Sequence, residues 1–287
     1  DVSNKAAGAS VPDITLVGHT DDAEFALGTS NAKAVVASGG KDMNVLVWDI
    51  EGSMGRGQIS PMSVLEGHKN TVEDVTFKPD SFYELASVAD DYSLLLWDTR
   101  ANDGKPAAAV HKAHGNKDIH CVDWSGLDVH MLVTGAQDGG VHVWDTRHLS
   151  TPVSVFTHHT EAVMNVEWSP HIPNVFASGS DDGLVCVWDL SRKNNSLSTR
   201  QVNVPVPEEL LLQHAGHQSS VVDFCWSPDD PWTIMSASVD VSSGKGGGTL
   251  QLWRISDLVY KSEAEIMEEL EPYRDYIVTG DESLLVK

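Results

Sequence analysis

Three cysteines in 287 residues leave little material for a covalent framework. Cys121, Cys186 and Cys225 are far apart and form no C-x-x-C pair. That excludes a disulfide scaffold and a cysteine zinc site, and predicts buried free thiols in a reducing compartment. Basic residues are also scarce: 19 Lys plus Arg stand against 42 Asp plus Glu, a formal net charge of −23. Such a field disfavours direct contact with nucleic acid or an anionic membrane and favours a basic partner. No apolar run approaches the roughly 20 residues of a membrane span. Asp1 to Ser10 contain neither a charged n-region nor an apolar h-region, so a soluble, non-secreted chain is expected. The first residue is not Met, which suggests a start partway into a longer product.

What the sequence does contain is a repeat. Behind a His, a Ser or Thr is followed after four residues by Asp and after six more by Trp: His19, Ser38, Asp42, Trp48; His68, Ser87, Asp91, Trp97; His114, Thr134, Asp138, Trp144; His159, Ser178, Asp182, Trp188. A fifth set, His217, Ser236, Asp240, Trp253, carries a Gly-rich insertion, Ser242 to Gly248. Period and signature predict an all-β fold, a WD-repeat β-propeller with five blades present. The spacing has a physical reason. The Asp in a tight turn can accept backbone N–H groups and the His, while the hydroxyl links His to the Trp indole N–H. These residues are therefore structural rather than catalytic or metal-binding, and Asp138→Ala is expected to leave buried donors unpaired.

The repeats run at about 18–50, 67–99, 113–146, 158–190 and 216–255, in one propeller unit, 1–261, followed by a helix and tail, 262–287. Outer strands are expected at Ser63 to Leu65, Ala107 to Val110, Val153 to Phe156 and Leu210 to Leu212. Ile14 to Val17 has the same character without inner strands before it. It reads as the last strand of an upstream blade, so five blades predict part of a seven-bladed ring; the rival is a closed five-bladed ring in which Ile14 to Val17 completes the fifth blade. Alternation predicts Val163, Asn165 and Glu167 on one face and Met164, Val166 and Trp168 on the other. Ser262 with Glu265 forms a capping-box pattern ahead of Ile266, Met267 and Leu270, a short amphipathic helix ending near Pro272.

No catalytic set emerges. Ser243 to Thr249 has glycines and Lys in the wrong order for a phosphate loop and reads as a hairpin insertion. His158 and His159 adjoin but point to opposite faces. Neither enzyme activity nor a cofactor is expected, and binding becomes the default, through loops on two faces and a central channel. The loops after each His lead into the innermost strands. They hold Asp21, Asp22, Glu24 and Phe25; Glu73; Asp118 and His120; and Glu161 and Met164. An acidic ring with apolar members suits a peptide bearing Lys or Arg.

Gly67-His68 through Glu73-Asp74-Val75, Ala89-Asp90-Asp91 leading to Leu96-Trp97-Asp98-Thr99-Arg100, Trp168-Ser169-Pro170-His171 and Pro231-Trp232-Thr233-Ile234 resemble the MSI-type, retinoblastoma-associated, histone-binding WD-repeat proteins. Gly246 to Arg254 followed by Ser256 to Tyr260 is most similar to the green-lineage, FVE-like branch, associated with flowering regulation. The resemblance runs from Ile14 to Tyr276. It implies a nuclear, non-catalytic scaffold that holds core histones three and four for histone deacetylase, Polycomb-type or chromatin assembly complexes. It places a basic tail against Phe25, Glu73, Asp118, His120 and Met164. Ala162 stands where the family usually has an acid, with Glu161 before it, which puts the tail register in doubt. The family's edge site for a histone helix corresponds to Pro207, Glu208, Glu209 and Leu212, but its usual acidic stretch is replaced by 198–203 and its N-terminal helix is absent.

A second resemblance offers an alternative. Trp97-Asp98-Thr99-Arg100 and Trp144-Asp145-Thr146-Arg147 fit the WDxR signature of cullin-ligase substrate receptors. It implies that Asp98, Arg100, Asp145 and Arg147 meet a ligase adaptor on the face opposite the tail.

Overall fold

The computed structural model describes residues 12–52, 57–194, 207–239 and 248–255. Their architecture is five antiparallel sheets arranged as propeller blades. Blade 1 is built from β2 (Leu27–Thr29), β3 (Val35–Gly39), β4 (Asn44–Asp49) and β6 (Ser63–Glu66). Blade 2 holds β7 (Val72–Phe77), β8 (Glu84–Ala89), β9 (Ser93–Asp98) and β10 (Ala108–His111). Blade 3 holds β11 (Ile119–Trp124), β12 (Met131–Ala136), β13 (Val141–Asp145) and β14 (Ser154–Phe156). Blade 4 holds β15 (Val163–Trp168), β16 (Val175–Ser180), β17 (Val185–Asp189) and β18 (Leu210–His214). Blade 5 has three described strands, β19 (Val221–Trp226), β20 (Thr233–Ser238) and β21 (Leu250–Arg254).

The expected outer strand near the start is β1 (Ile14–Leu16). It pairs in parallel with β5 (Gly57–Ile59), a strand between β4 and β6 that sequence reading did not anticipate. This corrects the closed-ring alternative, because β1 does not complete blade 5. Gly18, after β1, approaches blade 1 so closely that a Cβ there would lie 3.0 Å from Leu46 Cδ1 and 3.1 Å from Pro61; Leu46 is 2% exposed. The C-terminal helix, Asp240 and Ser242 to Gly247 of the insertion lie outside the described residues.

The core lies between blades. Ala37 and Val47 of blade 1 meet Val75, Phe77, Leu85 and Leu95 of blade 2. Ala177 and Val187 of blade 4 likewise meet Phe224, Trp226 and Ile234 of blade 5. Small or β-branched residues on one face against large ones on the next let flat sheets close at native packing density. The face of blade 5 that matches Ala177 and Val187 is open instead: Leu252 is 74% exposed and Met235 41%.

In blades 2 and 4 the repeat residues form the same relay. His68 Nε2 meets Ser87 Oγ at 2.7 Å, and Trp97 Nε1 donates to the same oxygen at 2.8 Å. His159 with Ser178, at 2.8 Å, and Trp188 with Ser178, at 2.9 Å, repeat it. Asp91 and Asp182 complete each relay at His Nδ1. Burial pushes Asp91 up, but the His68 contacts and the N–H groups of Lys69 and Ser93 hold it below the usual carboxylate range.

Three blades depart from the expected network. In blade 1, Trp48 Nε1 donates to the Val17 carbonyl at 3.1 Å instead of Ser38, and His19 Nε2 is buried without a hydrogen-bond partner among the described residues. His19 still meets Asp42 at 3.0 Å. In blade 3, Asp138 is exposed and accepts the Gly140 N–H, while buried His114 Nδ1 has no hydrogen-bond partner among the described residues. His114 stacks on His142 at 3.7 Å between centroids instead, and still meets Thr134, which accepts Trp144 Nε1. Burial, then the neighbouring His142, pushes the His114 imidazole well below its ordinary range. The expectation for Asp138→Ala is corrected accordingly: no buried donor depends on that side chain except a backbone N–H in its own turn. In blade 5, His217 joins Ser236 at 2.6 Å and Trp253 donates to Ser236 at 3.0 Å, with Thr249 at His217 Nδ1.

Candidate functional site at the channel mouth

The site is made by a device that simple alternation misses. Each of β7, β11, β15 and β19 carries a register shift after its first residue: Val72 pairs Ala89 but Asp74 pairs Val88, Ile119 pairs Ala136 but Cys121 pairs Gly135, and so on. One extra residue per strand is left unpaired, as in a β-bulge, and bulges re-aim side chains. The extra residues are Glu73, His120, Met164 and Val222. The bulge also corrects the expected faces of β15. Val163 joins Val166 and Trp168 on the buried side, leaving Met164, Asn165 and Glu167 less buried.

Glu73 sits at the start of β7, where its carboxyl group lies near that of Asp90, the residue after β8. Asp118, just before β11, adds its charge to both, and His120 lies near Asp90. Burial, then repulsion from Asp90, lifts Glu73 to about 7. Burial, then Asp118, lifts Asp90 as well. His120 Nε2 is buried and unpartnered among the described residues. Thus Glu73, Asp118 and His120 come together, with Asp90 as a fourth member that the sequence reading passed over. Its signal was the Asp90-Asp91 doublet, of which only the second residue was assigned a role.

The remaining tail-face residues are arranged differently. Asp22 and Glu24 face Lys41, at 3.2 and 3.7 Å, which offsets part of their charge. Asp21 caps the Asp22 N–H. Phe25 is 59% exposed, Glu161 is exposed and Met164 half-buried.

Below the mouth lies a cavity of about 330 Å³ lined by Asp74, Asp123, Asn165, Glu167, Asp223 and Cys225 among others. Cys225 is exposed there, correcting the expectation that all three thiols are buried. Its carboxylates bind successive blades. Asp74 Oδ2 accepts the Val122 N–H at 2.8 Å, Asp123 Oδ2 the Trp168 N–H at 2.7 Å, and Glu167 Oε2 the Trp226 N–H at 3.2 Å. Burial raises Asp74 to about 6, Asp123 to about 8 and Glu167 to about 7. These residues were absent from the sequence-based candidates because their partners are distant backbone groups. No metal-ligating cluster is found among the described residues.

At the opposite end, Arg100 pairs with Asp98 at 2.7 Å and lies 3.9 Å over the Tyr83 ring, and Arg147 pairs with Asp145 at 2.7 Å. On the rim, the Pro207 carbonyl accepts the Leu210 N–H, Glu209 O accepts the Asp189 N–H, and Leu212 packs against the core between blades 4 and 5. Glu208 is exposed.

A family model described as "WD domain, G-beta repeat" matches residues 11–49, 59–98, 107–145, 150–189 and 208–254. The chain belongs to the WD-repeat family. From the second onward, each matched stretch takes the outer strand of one blade with the inner strands of the next, so repeat and blade are out of phase. The chain is similar to the WD-40 repeat-containing protein MSI4 of Arabidopsis thaliana, 42% identical over 95% of this chain and 59% of that protein. It is also similar to MSI3 of the same plant, 34% identical over 88% of this chain and 58% of that one. The MSI-type resemblance read from the sequence is thereby borne out. The chain spans about three-fifths of the length of these relatives.

Proposed function

We propose that this WD-repeat chain is a nuclear, non-catalytic scaffold that binds the basic tails of core histones three and four for deacetylase, Polycomb-type or chromatin assembly complexes. The observation that carries the reading is the convergence of Glu73, Asp90 and Asp118 at the channel mouth of an acidic protein. Half-buried carboxylates bind Lys or Arg more strongly than exposed ones, because water screens them less. The similarity to MSI4 and MSI3 supports the coarser part of this reading, a WD-repeat scaffold. The test is a titration with unmodified histone-three tail peptide at low salt. Glu73→Lys with Asp118→Lys should weaken binding at least tenfold and flatten its salt dependence; unchanged affinity would sink the reading.

A second reading, a substrate receptor for a cullin-based ligase, is favoured by the two Asp–Arg pairs. Both follow strands that run away from the channel mouth, so the two roles use opposite ends. Pull-down with purified cullin adaptor, wild type beside Arg100→Ala with Arg147→Ala, tests it: capture lost in the double variant supports it, and no capture by wild type ends it.

A further inference from the structure

Blade 3 runs the repeat relay in reverse. In blades 1, 2 and 4 the turn Asp makes two contacts. It meets His Nδ1, at 3.0 to 3.2 Å, and it accepts the backbone N–H of the residue after that His, Thr20, Lys69 or Thr160. Asp138 makes neither. His114 Nδ1 is buried without a hydrogen-bond partner among the described residues, Asp138 accepts the Gly140 N–H, and the Gly115 N–H goes to the Lys112 carbonyl at 2.9 Å.

The ring protons follow from these partners. His68 and His159 each face a carboxylate through Nδ1, so the proton sits there and Nε2 accepts from Ser87 or Ser178. At His114 a proton on Nδ1 would be a buried donor with no acceptor, an unfavourable state. The ring therefore carries its proton on Nε2 and donates to Thr134 Oγ1 at 2.8 Å. Thr134 also accepts the Trp144 indole N–H and turns its own hydrogen toward the His142 carbonyl, 3.5 Å away.

His142 distinguishes this blade. It pairs with Thr134 across the strands, the place held by Leu46 opposite Ser38, Leu95 opposite Ser87 and Cys186 opposite Ser178. Its ring lies flat on His114, with 3.7 Å between centroids and 11° between planes, and its Nδ1 is tied to the Ala113 carbonyl at 3.0 Å. The turn itself is unchanged: the residue after each Asp has a φ of +66° at Met43, +68° at Tyr92, +78° at Gly139 and +82° at Gly183. Bringing Asp138 in thus needs a side-chain rotation and a loop shift, not a new turn.

We propose that His142 is a positioning residue for the channel mouth: stacked on His114, it holds the relay on the Nε2 tautomer, keeps Asp138 out, and leaves the loop from Gly115 to Asp118 in a setting that blades 1, 2 and 4 do not use. That loop carries Asp118 and leads into β11, whose bulge presents His120. Without the stacked ring, Asp138 turns in and takes both the His114 Nδ1–H and the Gly115 N–H. The rival cause is chain length, because His114 and Thr134 are 20 residues apart where the matching pairs are 19 apart.

The experiment is imidazole nitrogen NMR of the 287-residue chain, wild type beside His142→Leu, with backbone amide shifts recorded on the same samples. Blades 1 and 2 already place Leu at this position, so the variant suits the fold. In the wild type, His68 and His159 should carry the proton on Nδ1 and His114 on Nε2. In His142→Leu, His114 should change to Nδ1–H and the Gly115 and Asp118 amides should shift. Adding Asp138→Ala to His142→Leu should return His114 to Nε2–H, because no carboxylate is left to receive Nδ1. Urea unfolding supplies a second readout: Asp138→Ala should lower the folding constant about tenfold more in the His142→Leu background than in the wild type. Nδ1–H on His114 in the wild type overturns the proposal, as does an equal cost of Asp138→Ala in the two backgrounds. A His114 tautomer unchanged by His142→Leu also overturns it, in favour of the extra loop residue. None of these measurements uses a peptide, so they are decided apart from the histone reading.

Discussion

Asp91→Ala and Asp138→Ala occupy the same place in the repeat, yet the structure assigns them different costs. Asp91 accepts His68 Nδ1 at 3.2 Å, the Lys69 N–H at 2.8 Å and the Ser93 N–H at 3.0 Å, and the His68 side chain is fully buried. Its removal strands the imidazole and the Ser93 amide, whereas Lys69 is exposed and water can serve its N–H. Two stranded buried donors at 1–3 kcal/mol each, reduced by partial water entry, give a loss of about 2–4 kcal/mol. Asp138 holds only the Gly140 N–H, the counterpart of the Ser93 amide, and strands no imidazole, so its loss should cost less, about 1–2 kcal/mol. Equilibrium urea unfolding followed by tryptophan fluorescence at pH 7 measures both, with the slope as a check that cooperativity is unchanged. Equal losses, or a larger loss for Asp138→Ala, would refute the view that hydrogen-bond partners rather than repeat position set the energy.

The hydroxyl tier offers a parallel contrast: Ser87→Ala removes the hydroxyl that links His68 Nε2 to the Trp97 N–H and should cost about 2–3 kcal/mol, while Ser38→Ala should be close to neutral because Trp48 uses Val17. Denaturation midpoints of the two variants decide it. Stability should fall from pH 5 to pH 8. Asp123, Glu167 and Asp74 keep in the folded state protons that the unfolded chain gives up above about pH 4, so folding is favoured at mildly acid pH and this contribution disappears as pH rises through their folded values of about 6 to 8. Asp91 and Asp182, held low, act oppositely and only below the usual carboxylate range. A melting temperature that climbs between pH 5 and 8 would contradict this. Gly139→Ala should destabilise by about 2 kcal/mol or more, because the backbone is left-handed at φ +78° and a Cβ would lie 2.5 Å from the His159 carbonyl oxygen; thermal melting beside Gly126→Ala, where nothing lies within 4 Å, provides the reference.

Much of the blade architecture was legible because the repeat writes it several times over. The Trp, the hydroxyl and the turn recur at fixed spacing, and the short runs of small and apolar residues in β8, β12 and β16 mark strands buried on both faces. What escaped was whatever depends on contacts across blades or on a broken period. The bulges at Glu73, His120 and Met164 leave alternation looking intact in sequence while moving every following side chain to the other face. The stacking of His142 on His114 was hidden because His142 occupies a strand position that holds Leu46 or Leu95 in neighbouring blades. Strand β5 was hidden because Gly57-Gln58-Ile59 has no pattern of its own and becomes a strand only beside Ile14–Leu16.

Three of the four carboxylates lining the channel reach in one direction, while Asp223 accepts from the Asn165 side chain behind it. Asp74, Asp123 and Glu167 bind backbone groups 48, 45 and 59 residues further along the chain, never earlier ones. During synthesis, a blade therefore emerges with its innermost carboxylate still hydrated and ionised, and its acceptor site is filled only after the rest of that blade and the first strand of the next have left the ribosome. At about 5–20 residues per second that delay is on the order of several seconds. Each blade is the template on which its successor docks, so assembly proceeds from the N-terminal side forward, and a pause in translation inside blade 4 holds Asp123 satisfied but leaves Glu167 waiting in water.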